Sequence, residues 1–365
     1  MNYSQLQYRL RKKKIMKTRI SSIITVIGCC LMAISFTSCN DEWKDEQYEK
    51  YISFKAPIND NGVTAIYVPY SRHNDDGSLM YGSEGKSSYD LPIIVAGTTT
   101  NGSDLTIQVG HSDTLNILNY ELFGSPTYRA DIIDLYYKDM SNYAQYPSSV
   151  QINAGQDIGL LRINFDFKGI DMVEKWVLPL EIKKDNSYQP HPRKNYAKAM
   201  LRVFPYNDYS GNYSATTLTV TNAADPNNAT GMETTRGYVV DENSVFFYMG
   251  NIDESRVDRR FYKVKFQFNP TTPDGNQGTV TLSSDNAEKN QFTPRGTAQY
   301  RIYEQIDDVQ PYLMHHYVII SGIEYDYTDY TSVENYTMAY TVKGILTLER
   351  QLNTQIPNED QAIQW

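Results

Sequence analysis

The 365-residue sequence predicts an all-β protein, with a β-sandwich over residues 50–205 and a small β-barrel over residues 206–365. A second sandwich is the alternative to the barrel. Three observations predict this class. From residue 50 onward, short runs of alternating apolar and polar residues recur between clusters of Gly, Pro, Asn and Asp, the pattern of half-buried strands joined by turns. Tyrosine is by far the commonest aromatic, at 31 residues against 12 Phe and 3 Trp, and its ring suits a pleated surface. All three cysteines, Cys29, Cys30 and Cys39, lie ahead of this region, so packed strands rather than disulfides must hold it. An apolar content of 40% with 21% charged residues excludes a disordered chain, and 15 Pro with 21 Gly exclude a coiled coil.

The first element is an export segment. Residues 1–38 carry seven Lys or Arg and no Asp or Glu, then an apolar run from Ile20 to Phe36 broken by serines and a threonine. A basic stretch, a short apolar stretch and a small residue before a cut make a signal peptide. Met16, followed by Lys17 and Arg19, is the more natural start. Phe36-Thr37-Ser38-Cys39 resembles the lipobox of bacterial lipoproteins, which implies that Cys39 is acylated and begins the mature chain. An ordinary secretory signal and a single membrane helix are the alternatives, the helix disfavoured because a bilayer needs about 20 apolar residues. Two or more acyl chains would hold the protein stably at a membrane. Residues 39–49 then form an acidic tether, and Asn40-Asp41-Glu42-Trp43-Lys44-Asp45-Glu46 resembles the signal that sends Bacteroidetes lipoproteins to the cell surface. The formal charge of −9 becomes −16 without residues 1–38, which argues against nucleic acid and against charge-driven membrane binding.

In residues 50–205 the spacing predicts strands at Tyr51–Phe54, Ala65–Val68, Leu91–Ala96, Leu105–Val109, Ser149–Ile152, Leu160–Phe167, Trp176–Ile182 and Ala199–Phe204. Leu161, Ile163, Phe165 and Phe167 share one face by alternation, as do Trp176, Leu178, Leu180 and Ile182. Leu115, Leu118 and Leu122 predict one helix over Asp113–Leu122. The runs Asp90–Gly97, Ser149–Gly155, Asn164–Phe167 and Trp176–Leu180 resemble, in order, the immunoglobulin-like N-terminal domain of Bacteroidetes surface lipoproteins numbered 1735 among domains of unknown function. The resemblance covers residues 50–185 and implies architecture and cellular context rather than chemistry.

The polar, turn-rich segment Tyr206–Gly211 marks the boundary. Beyond it, strands are expected at Tyr213–Thr221, Gly237–Asp241, Ser244–Met249, Phe261–Phe268, Thr279–Ser283, Ala298–Glu304, Tyr317–Tyr327 and Asn335–Arg350. About eight meandering strands suit a lipocalin-like barrel. Val245–Gly250 together with Asp258–Tyr262 resembles the C-terminal domain numbered 4361 that often follows the first.

Catalytic patterns are scarce. The five histidines, His73, His111, His191, His315 and His316, have no metal-binding spacing, and the adjacent pair points to opposite faces of a strand. No G-x-S-x-G, H-E-x-x-H or P-loop pattern occurs. The first domain's relatives include proteins where it precedes a family-eighteen glycosidase barrel. Asp326-Tyr327-Thr328-Asp329 approaches that motif, but Thr331 and Val333 stand where its acids are required. Two carboxylates can still hydrolyse a glycoside, so an uncharacterised glycosidase stays open. Asn59–Gly62, Asn74–Gly77 and Asp225–Asn228 lack a completed calcium loop and read as turns.

The tyrosines give the positive signal. Tyr325, Tyr327, Tyr330, Tyr336 and Tyr340 interleave with Asp326, Asp329, Glu334 and Asn335, and Tyr136, Tyr137, Tyr143 and Tyr146 punctuate a polar insertion. Exposed rings beside carboxylates and amides could stack on a pyranose and bond its hydroxyls. Tyrosines buried in strands are the competing reading of each ring. The candidate ligand residues are Tyr325, Tyr327, Tyr330, Tyr336, Asp326 and Asp329, with Cys39 for lipidation and no metal or cofactor expected. The family resemblance implies a non-catalytic, outer-membrane lipoprotein that captures a polysaccharide or oligosaccharide for a utilisation system, in reach of a glycan transporter. A structural or adhesive, fimbrial-type lipoprotein is the alternative.

Overall fold

The computed structural model describes residues 48–74, 76–193 and 196–356. The expected signal peptide, Cys39 and the first part of the tether lie outside the described residues. The N-terminal strands are β1 (Tyr51–Phe54), β2 (Thr64–Pro69), β3 (Lys86–Val95), β4 (Leu105–His111), β5 (Tyr137–Asp139), β6 (Ala144–Gln145), β7 (Ser149–Ile152), β8 (Ile158–Asp166), β9 (Lys175–Ile182), β10 (Gln189–Pro190) and β11 (Lys198–Tyr206). They form two sheets, ordered β10-β1-β3-β8-β6 and β2-β11-β9-β4-β7, with β5 alongside β9. Alternation puts Leu161, Ile163 and Phe165 of β8 against Leu91 and Ile93 on one side of the core. Leu178, Leu180, Leu201 and Val203 fill the other. Helix α1 (Thr114–Phe123) buries Leu115 and Leu118 but leaves Leu122 exposed, so the expected stripe is one residue too long.

The second body is built from β12 (Gly211–Ser214), β13 (Thr219–Asn222), β14 (Ala229–Gly231), β15 (Thr234–Asp241), β16 (Ser244–Tyr248), β17 (Lys263–Pro270), β18 (Gln277–Ser283), β19 (Thr293–Pro294), β20 (Ala298–Ile306), β21 (Leu313–Val333) and β22 (Tyr336–Asn353). Strands β12, β15, β16, β17, β18, β20, β21 and β22 pair antiparallel in chain order. The pairing Tyr213↔Leu348 between β22 and β12 closes the ring. This is the expected up-and-down barrel rather than a second sandwich, and closure removes the edges that an open sheet would expose. Its interior is filled. Tyr209 stacks on Phe268 at 3.8 Å, Phe268 meets Tyr300 at 5.1 Å, and Phe247 lies between Tyr213 and Phe266.

The junction after β11 is buried rather than loose. The Asn207 amide donates to the carbonyl of Asp241 at 2.8 Å, and the buried Arg350 guanidinium donates to the carbonyls of Asn207 and Ser210. Past the barrel's end, β21 and β22 continue as a long hairpin paired with β13 and β19. The register shifts between Ile320 and Ile323, opposite Gly344. A Cβ on Gly344 would lie 2.7 Å from the Leu218 Cα, so only glycine lets the two chains pass there.

Sandwich and barrel are joined by a charged seam. The segment Arg259–Phe261 is a single 3₁₀ turn. Arg259 is 0% exposed, and its guanidinium donates to the carbonyls of Asp134 at 2.7 Å, Val173 at 2.8 Å and Arg256 at 3.2 Å. Beside it Arg260 pairs with Asp134 at 3.0 Å and Glu174 at 2.7 Å. Arg259→Met should take this donor from the Asp134 and Val173 carbonyls, at a cost of about 2–3 kcal/mol. Calorimetry should then show one unfolding transition splitting into two, one for each body. A single transition at an unchanged midpoint would show that Arg259 does not couple them.

Candidate ligand-binding clefts

After β16 the chain leaves the barrel and forms the loop from Met249 to Asp258, with a cleft on each side. The larger, about 410 Å³, is lined by residues 232–236 with Asn212, Tyr238, Tyr248 and residues 251–254. The smaller, about 190 Å³, is bounded by Val220, Asn251, Ile252, Arg256, Tyr327, Asp329, Ser332, Met338 and Tyr340. Amides, hydroxyls and carboxylates converge on aromatic and methionine surfaces, a lining that can hold a polar organic ligand.

The loop is pinned at both ends. At its start, Gly250 has φ +53, and a Cβ there would press on the Tyr327 ring. Its N–H reaches the Tyr325 hydroxyl at 3.4 Å. Towards its end, Arg256 holds Asp258 with two hydrogen bonds, at 2.5 and 2.9 Å, and Asp329 at 2.9 Å. The Tyr262 hydroxyl also donates to Asp329 at 3.0 Å, and burial pushes that phenol up to about 12. Burial opposes ionisation of Asp329. Hydrogen bonds from Arg256, Ser332 and two backbone N–H groups outweigh it and hold the carboxyl well below the usual range. Between these anchors, Glu254 pairs with Arg202 of β11 at 2.8 Å and accepts from Tyr238 at 3.2 Å. Burial works against its charge too, but Arg202 and Lys175 prevail and lower its pKa.

The six expected ligand residues do not form one exposed platform. Tyr325 and Tyr327 are 3% and 4% exposed, and burial pushes both phenols well up. Alternation along β21 turns Ile323, Tyr325, Tyr327 and Asp329 toward the barrel's covered end, so these rings support the loop from beneath. Asp326 is committed to Arg295 at 2.6 Å and Thr341 at 2.7 Å. Tyr330 is half-buried and accepts from Asn286 at 2.9 Å. Tyr336, 57% exposed near the hairpin tip, is the one open ring of the four. Only Tyr327 and Asp329 line a cleft, the smaller one. In the sandwich, Tyr136 stacks on Phe123 at 5.2 Å and Tyr143 meets Trp176 edge-on at 5.2 Å, so that tyrosine group is packing as well.

Residues 232–236 and 251–254 were missed because no local motif marks them; loop and strand meet only when the barrel closes. The expected turns do form: Gly62 N–H bonds Asn59 O, Gly77 N–H bonds Asn74 O, and Asn228 N–H bonds Asp225 O. Among the described residues, no group of three His, Cys, Asp or Glu side chains is placed to hold a metal ion.

The Asp329 network has a pH signature. An unfolded aspartate titrates near pH 3.9, whereas folded Asp329 stays ionised below that. Its contribution to stability is therefore complete above about pH 4 and is lost as pH falls through the folded value. Asp329→Asn should lower the urea midpoint at pH 7 and flatten the loss of stability between about pH 5 and pH 2.5. An unchanged slope in that window would contradict the assignment.

Comparison with known proteins places the chain. Residues 43–186, where the sequence reading expected the domain numbered 1735, match the model of a different domain of unknown function, DUF4973. Residues 197–347 match the model of a C-terminal domain. None of the curated proteins matches. Among solved structures, an auxiliary nutrient binding protein from Bacteroides thetaiotaomicron is 47% identical, with a TM-score of 0.77, covering 87% of this chain and 100% of its own. A multidomain protein including DUF1735 from Bacteroides ovatus is 40% identical, with a TM-score of 0.71, over 86% of this chain and 100% of its own. A protein of unknown function from Bacteroides ovatus is 33% identical, with a TM-score of 0.71, over 88% and 97%. At this identity over almost the whole of each relative, the chain belongs to the family that contains the Bacteroides thetaiotaomicron auxiliary nutrient binding protein.

Proposed function

We propose that the protein is a non-catalytic lipoprotein of the outer membrane's outer face that captures glycans for a polysaccharide-utilisation system, with the ligand held in the clefts beside the Met249–Asp258 loop. The observation that carries this reading is the 47% identity to a nutrient binding protein along that protein's full length. The clefts support it. Asn212, Asn251, Asp253 and Glu233 offer donors and acceptors to hydroxyls around the edges of Tyr238 and Tyr248. The sequence supplies the rest: Cys39 is the anchor, and residues 40–49 form the tether that lifts the sandwich and barrel from the membrane.

A binder fits the cleft carboxylates better than a hydrolase. A glycosidase needs one carboxyl kept protonated by a raised pKa. Two of the cleft carboxylates, Glu254 and Asp329, are instead shifted downward by the Arg202 and Arg256 guanidinium groups they pair with.

A glycan array probed with residues 40–365, together with an assay for released reducing sugar, tests the proposal. The expected result is binding to a defined set of polysaccharides without release, and Cys39→Ser in the full chain should leave the protein out of the membrane fraction. Sugar release would replace the binder with an enzyme. Absence of binding across the array and in affinity gels would remove the glycan reading.

A further inference from the structure

One cation on the wall of the larger cleft has no carboxylate partner of its own. Arg236, on β15, lines the cleft. Its guanidinium carbon lies 4.2 Å from the centre of the Phe204 ring, 5.5 Å from Tyr238 and 5.8 Å from Tyr67. Arg202 stands 4.7 Å from the same Phe204 ring. Lys175 is close enough to feel both Arg202 and Glu254. Two carboxylates act on this group, Glu254, bonded to Arg202 at 2.8 Å, and Asp253, which acts on Lys175. Among the described residues, no carboxylate lies within ion-pair distance of the Arg236 guanidinium, and none of its N–H groups has a hydrogen-bond partner. The other acids of the cleft stand at its rim. Glu233 is exposed, and Asp253 is tied to Ser255 through its N–H at 2.8 Å and its hydroxyl at 2.5 Å.

Stacking on aromatic faces fixes the plane of a guanidinium while leaving its edge free. A planar fork of N–H donors, preset and uncommitted, matches a carboxylate with two parallel hydrogen bonds. The neighbouring Arg202 has its own carboxylate in Glu254, which leaves Arg236 as the cation open to an incoming anion. Rim acids and amides remain to accept from sugar hydroxyls. We propose that Arg236 anchors a carboxylate of the ligand, and that the glycan taken by this cleft is an acidic one containing uronic acid residues. This inference rests on the glycan-binding reading above and adds its substrate class. The strong negative charge of the mature chain slows approach of a long polyanion, so short oligosaccharides are the appropriate probes.

The test is calorimetric titration of residues 40–365 with a panel of short galacturonate, glucuronate and mannuronate oligosaccharides, each beside its neutral methyl ester. At least one free acid should bind about tenfold or more tightly than its ester, the effect of one charge-assisted bidentate pair. Arg236→Met should abolish the preference for the acid over its ester. Arg236→Lys should fall between, because it keeps the charge and loses the fork. Equal binding of acids and esters by the unaltered protein overturns the proposal, a comparison that does not depend on any variant folding. Binding of neutral glycans alone overturns it while leaving the glycan-binding function intact. A sulfated oligosaccharide preferred over every uronate, with that preference lost in Arg236→Met, overturns the choice of carboxylate. Absence of binding to any glycan overturns both readings.

Discussion

The structure depends on a positive charge buried without a carboxylate. Arg259 carries its guanidinium from the barrel's 249–261 segment into the sandwich, where its two terminal nitrogens donate to three backbone carbonyls. Carbonyl dipoles replace the water it has lost, and no second buried ion is required. The arrangement exists only when both bodies are folded and in register, because Asp134 and Val173 belong to the sandwich while Arg256 belongs to the barrel loop. Arg260, bridging Asp134 and Glu174, repeats the attachment nearer the surface. Much of the cleft geometry follows from this constraint, since the loop that divides the two clefts leads directly into the anchored turn.

A binding loop held at several points loses little freedom when a ligand arrives, and affinity gains from that preorganisation. Tyr325 and Tyr327 beneath Gly250, the Arg256–Asp258–Asp329 cluster and the Glu254–Arg202 pair each fix one part of it. The barrel serves this arrangement as a solid support. Its aromatic filling leaves the chemistry to the outside wall and the capped end, so the likeness to ligand-enclosing barrels is one of topology. The Arg202–Glu254 pair also makes the larger cleft a shared product of sandwich and barrel, although every residue on its lining comes from the barrel.

The strands were legible because alternation is local. Val264, Phe266 and Phe268 face inward as their spacing demands, and the faces of β8 follow in the same way. Very short strands such as β6, β10 and β19 left no periodic trace. Tyr213–Thr221 read as one strand but divides at Ala215–Leu218, where the chain crosses Gly344 and moves from β12 to β13. The candidate site was less legible. Tyrosines interleaved with Asp suggested an exposed surface, because nothing in the sequence shows that β21 runs on beyond the barrel and that β13 and β19 flank its partner and itself there. Arg236 carries no motif. Its meaning comes from Phe204, Tyr67 and Arg202, distant in sequence and brought together by the packing of sandwich on barrel.

Hydrogen–deuterium exchange distinguishes ligand held beside the loop from ligand held on the tyrosine-rich hairpin tip. Exchange would be followed for residues 40–365 with and without the oligosaccharide that binds most tightly. Slowed exchange is expected in residues 231–238 and 249–258, with the hairpin tip around Glu334–Tyr336 unchanged. Protection confined to the hairpin tip, or to the sandwich, would contradict it.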